Sequence, residues 1–233
     1  MTEPITADEG VDLNRERIFT PSVVEVRMTQ SGTQSRSIGG YASVFDKQSE
    51  NLGGFYERVA PSFFNKSRAD GWPDVICRYN HDDAFILGAT RSGTLKLAVD
   101  EVGLNYTVDL PESRNDVLEL VARGDIGKSS FAFQTFEDDW GLSEFGYPQR
   151  TLVSGRLIDV APVATPAYRD SSVGMRSLAR KMNADLEEIV SLAHSDELRK
   201  LFVRTDGGPA KKKANTFGPA ARMALLAKKK PTV

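Results

Sequence analysis

The chain has 233 residues, 40% of them hydrophobic and 27% charged, with a formal net charge of -2. That length suits one well-packed domain with tails, and the balance gives no global reason to invoke nucleic acid or a membrane as partner. Cys77 is the only cysteine, which excludes an internal disulfide and every multi-cysteine zinc pattern and fits a reducing compartment, so no metal site and no cofactor are expected.

Residues 1–19 carry five acids and two arginines without periodicity and are expected to be disordered or loosely docked. The start, Met1-Thr2-Glu3-Pro4, has neither a basic leader nor an apolar stretch, and no segment approaches the length of a membrane span. The expected setting is therefore the cytoplasm in which the chain is made. Val23–Met28 and Ser37–Phe45 read as strands around a polar turn, and Pro61–Phe64 as a short helix with Pro in its first turn. Val75–Tyr79 reads as a strand entering a loop. Thr94–Val99 and Leu104–Val108 alternate about a turn at Asp100–Gly103, the pattern of a hairpin.

A helix follows, with Ser113 as its cap, Val117, Leu120 and Val121 on one face, and Gly124 at its end. Lys128–Phe133 is strand-like: alternation puts Phe131 and Phe133 on one face with Ser129, and Ser130 and Ala132 on the other. Arg156–Val160 is a further strand, and Pro162 and Pro166 argue against its continuing as a central strand. Beyond Arg180, Asn183–Asp185 and Ser195–Glu197 read as two helix starts. From Gly207 to Val233 there are seven basic residues and no acid, in a Gly/Pro/Lys-rich tail with lysine triplets at 211–213 and 228–230. A solvated tail is the plain reading, and binding to a scaffold or nucleic acid the sharper one.

Only two histidines are present, His81 and His194. A hydroxyl that must lose its proton near neutral pH is most often paired with histidine, and His81, at the end of a strand, is the better placed of the two. A Cys77–His81 nucleophile pair fails on geometry, since about 13 Å separate them in an extended strand. Taken alone, His81 is a hydrogen-bonded histidine at a strand end and Ser130 a small polar residue on a half-exposed face. No Gly-x-Ser-x-Gly elbow is present, so an α/β-hydrolase is not indicated.

Context comes from an ordered series: Tyr56–Phe64, then Asn80-His81-Asp82 with Leu87-Gly88, Gly103-Leu104, Ser130–Phe133, and Leu157–Val160 leading to Pro166-Ala167-Tyr168. Over residues 20–180 this series resembles the tailed-phage prohead protease family, serine proteases that mature capsids and are related in fold to the herpesvirus assemblins. The resemblance implies Ser130 as nucleophile, His81 as general base and Asp159 as the orienting acid. Residues 20–180 are expected to form an α+β domain with a β-barrel-like, strand-rich core and surrounding helices. Substrates would be the major capsid protein and scaffold inside an assembling prohead in the host cytoplasm, with cleavage of the chain itself as well; homo-oligomerisation is left open.

The expected organisation is a disordered segment at 1–19, a protease domain at 20–180, and a helical segment with a basic tail at 181–233. Three positions depart from the family's habit: Ala132 stands where Gly is frequent, Asp159 where Glu is frequent, and Ala161 where Ser is common. Asp159 is one methylene shorter, so its backbone must come closer to His81. Two rival readings are a non-catalytic assembly or scaffolding protein that keeps the fold, and an esterase or amidase for small substrates. The joint presence of His81, Ser130 and Asp159 speaks against the first.

Overall fold

The computed structural model of the chain describes residues 15–20, 23–28, 34–164 and 172–203. In chain order the strands are β1 (Glu16–Thr20), β2 (Glu25–Met28), β3 (Gln34–Val44), β4 (Tyr56–Val59), β5 (Ile76–Arg78), β6 (Ile86–Ala89), β7 (Leu95–Val99), β8 (Gly103–Asp109), β9 (Lys128–Leu142) and β10 (Pro148–Val163). The helices are α1 (Asn65–Ala69), α2 (Asn115–Arg123), α3 (Ser172–Met182) and α4 (Leu186–His194). All of β1 but Thr20 falls inside the stretch, residues 1–19, for which composition predicts no element. The basic tail from Arg204 onward lies outside the described residues.

Two sheets form. One runs β1-β9-β10-β5-β6 with β4 also on β10, and the other runs β2-β3-β8-β7. The architecture is α+β with mixed, open sheets, which corrects the expectation of a β-barrel-like core. The long strand β10 explains the difference. β9 pairs along its whole length on one side, while on the other side β4 takes Gln149–Leu152 and β5 takes Asp159–Val160, both parallel. The sheet therefore branches at β10, and among the described residues no ladder joins its outer strands into a closed ring.

Other expectations also shift. The turn at Pro61–Phe64 precedes α1, with the Phe63 amide bonded to the Ala60 carbonyl. Ser113 sits in a 3₁₀ turn, and α2 starts without a side-chain cap. Gly124 does end α2, at φ 84° in the left-handed region that a residue without Cβ adopts freely. β10 continues through Pro162 to Val163, because its pairing with β5 has already stopped at Val160 and a missing amide there breaks no β5 ladder. α4 begins at an Asp185 cap whose side chain accepts from the Glu187 amide, as the Asn183–Asp185 start predicts.

The main core joins both sheets through Ile38, Leu104, Tyr106, Phe131, Phe133 and Val160, with Phe63 and Phe64 wedged against them. Phe131 and Phe133 stack at 4.9 Å, and Phe63 meets Phe133 edge-on at 5.3 Å. A fully buried Phe is worth about 1.5–3 kcal/mol, so these rings fix the face and position of β9. Gly155 permits this packing: a Cβ there would lie 2.3 Å from the Phe63 ring. A second cluster, with Phe55, Trp140, Met175, Leu178 and Ile189, seats α3 and α4 against the far part of β9.

Candidate active site

The alternation of β9 sends Phe131 and Phe133 into the core and turns Ser130 to the opposite face. Ser129 stays on the core side, where its hydroxyl meets the Tyr106 hydroxyl at 3.2 Å. On β10 a bulge lies between Leu157 and Asp159: Leu157 opposes Phe133, but Asp159 opposes Ala132. Without the extra residue, Asp159 would share the core face of Leu157, since residues two apart on a regular strand point the same way. The bulge re-aims its carboxylate to the face of Ser130, which opposes Ala161 in the same ladder. Ala132 and Ala161 are both buried there and small.

His81 comes from the turn after β5, the strand beside β10. Asn80 and His81 both have positive φ, 53° and 59°, a conformation that side chains with a Cβ adopt at a cost and that clusters at functional sites. The Asn80 Oδ1 atom accepts from the Ala164 amide at 3.1 Å and ties this turn to the end of β10. The imidazole then spans the two strands: Nδ1 lies 2.6 Å from Asp159 Oδ1, and Nε2 lies 2.7 Å from Ser130 Oγ. The shorter carboxylate reaches the ring because β10 lies next to β5, with Asp159 opposite Ile76.

The second oxygen of Asp159 accepts from Arg78 Nη1 at 2.9 Å and from the Arg15 guanidinium. Burial alone would raise the Asp159 carboxyl. The hydrogen bond and charge of His81, with the charges of Arg15 and Arg78, outweigh it and hold the group below its ordinary value. The sequence reading gives Arg78 and Arg15 no role and quotes Asn80 only as part of the Asn80-His81-Asp82 motif; Arg78 is legible only as part of a strand, and its partner is 81 residues away. Burial pushes the Cys77 thiol well up, aided by the nearby Asp159 charge, which suits a core residue rather than a nucleophile. His194 lies at the exposed end of α4, away from this group. Asp82 caps the Ala84 amide and Asp83 faces Arg78, so neither takes the place of Asp159 on the imidazole.

A buried ionic group lies further along the same strands. Arg150, 1% exposed, meets Glu57 at 2.8 Å, Asp138 at 2.6 Å, and Glu16 of β1. Burial, with the negative charges of Glu16 and Asp138, raises the Glu57 carboxyl to about 7 against the opposing pull of Arg150.

Chemically, a hydroxyl, an imidazole and an ionised carboxylate in hydrogen-bonded series can withdraw a proton from the hydroxyl and stabilise the imidazolium that results. Among the described residues no group of three or more His, Cys, Asp or Glu side chains could hold a metal ion, and no helix is long and apolar enough to cross a membrane. A family model, Caudovirus prohead serine protease, matches residues 22–185. No curated protein and no solved structure matches the chain.

Proposed function

The chain belongs to the Caudovirus prohead serine protease family, and from that premise we propose that it is an endopeptidase that cleaves capsid and scaffold proteins during prohead maturation, with Ser130, His81 and Asp159 as its catalytic residues. The observation that carries the proposal is the unbroken series from Ser130 Oγ through both nitrogens of His81 to Asp159.

In this reading His81 Nε2 takes the Ser130 proton as Oγ attacks the scissile carbonyl carbon, and the carbonyl electrons move to oxygen. Collapse of the tetrahedral intermediate breaks the C–N bond, and His81 gives its proton to the departing amine. Water, deprotonated by His81, then releases the acyl group from Ser130. Asp159 accepts from Nδ1–H throughout, which fixes the tautomer with Nε2 free to act as base, and Arg78 keeps the carboxylate ionised. The family's substrates are proteins of the growing capsid, so the setting is the assembling prohead, and cleavage of the chain itself belongs to the same reading.

Co-expression with the major capsid protein tests this. Intact-mass measurement should show a shortened capsid protein with the wild-type chain and a full-length one with Ser130→Ala. A capsid protein shortened equally by both would refute the assignment, and one left intact by both would favour the non-catalytic assembly role.

A further inference from the structure

A nucleophile that serves a protein substrate must be reachable, yet Ser130 is 1% exposed, His81 5% and Asp159 0%. The cover nearest the nucleophile is β1. It pairs antiparallel with β9, with Ile18 opposite Phe131 and Phe19 opposite Ser130, and Ser130 Oγ donates to the Ile18 carbonyl at 2.7 Å. A hydroxyl has one proton. Given to Ile18, it is withheld from His81, and an imidazole whose Nδ1–H is held by Asp159 then faces a serine oxygen with nothing to transfer.

β1 is also the outer strand of its sheet. Without it, Ser129–Phe133 of β9 would present a row of unpaired backbone N–H and C=O groups beside the nucleophile, the template to which an extended peptide adds as a strand. The strand that fills this seat is fastened by side chains at one end. Glu16 accepts from Arg150 and Thr135, and Arg15 reaches Asp159 itself. Ile18 packs against the main core.

We propose that residues 15–20 are an internal strap seated where an extended substrate strand binds, so that the chain is latent until the strap leaves. The peptide that replaces it lies antiparallel to β9 and presents an apolar side chain in the place of Ile18. This rests on the serine-protease reading above.

The test uses the full chain and a fluorophosphonate ester, from which Ser130 Oγ would displace fluoride. Glu16→Ala loosens the strap while Arg150 keeps Glu57 and Asp138 as partners. Ser130 in this variant should label about tenfold faster or more than in the wild type, because apparent reactivity scales with the fraction of uncovered chains. A peptide of residues 14–21 added in trans should slow it again. A variant that melts cooperatively but labels at the wild-type rate would overturn the strap and leave the protease reading standing. Absence of label in both cooperatively melting chains would overturn the protease reading instead, and the strap with it. Should Glu16→Ala fail to fold, the wild-type chain decides: its phosphonylated form should exchange the amides of 16–20 faster than the untreated form, and unchanged protection there would sink the proposal.

Discussion

Glu57→Gln should flatten the pH dependence of stability, and the buried ionic group sets the size of the effect. Glu57 is buried beside Arg150, Glu16 and Asp138, and its carboxyl stands at about 7 against an ordinary 4.5. Between those values the folded chain holds a proton that the unfolded chain has released. The stabilisation is present in full below pH 4.5 and is lost as pH rises to about 7. At about 1.4 kcal/mol per pH unit, that gap amounts to about 3 kcal/mol. Gln keeps the shape and an acceptor for Arg150 but cannot ionise. Urea unfolding of both chains at about pH 4, 6 and 8 gives the comparison, in which shared titrations, Asp159 among them, cancel to first order. The wild type should lose about 3 kcal/mol more than Glu57→Gln across that range. Parallel profiles, or a wild type that gains on the variant as pH rises, would show that Glu57 is ionised throughout and that the account of this cluster is wrong.

Ser129→Ala should keep proteolysis and cost about 1 kcal/mol of stability, the worth of its bond to Tyr106; loss of cleavage with an unchanged melting temperature would contradict the face assignment. His81→Ala should lower kcat by about 10⁶-fold, with the Ser130→Ala, His81→Ala double variant no worse, whereas His194→Ala should match the wild type; additive losses in the double variant would mean that the two residues do not act as a unit. Asp159→Asn should reduce kcat by about 10⁴-fold, since an amide facing Nδ1 favours the wrong tautomer, and wild-type turnover would move the orienting role elsewhere.

Period-two alternation made Phe131 and Phe133 a core pair and Ser130 their opposite, and the β9 strand is arranged that way. The β7–β8 hairpin and the glycine end of α2 were legible for similar local reasons. Asp159 was not legible by pattern: straight alternation from Leu157 would put it on the core face, and only the bulge, which leaves no mark in the sequence, turns it toward His81. The resemblance supplied its role, and its partners Arg78 and Arg15 could not be found because they meet it across 81 and 144 residues. The Arg150 cluster was hidden in part by distance, with Glu57 93 and Glu16 134 residues away, and in part because charged residues read one at a time look solvated. α3, beyond Pro166, was missed, and the barrel expectation failed because nothing local reveals that β4 and β5 share one side of β10.

The central claim is that Ser130 is a nucleophile activated by His81. Its most direct test is a peptide map of the full chain after exhaustive reaction with a fluorophosphonate. The account predicts a single adduct on Ser130 in the wild type and none in His81→Ala. An adduct on Ser129, or one on Ser130 that persists undiminished without His81, would contradict it.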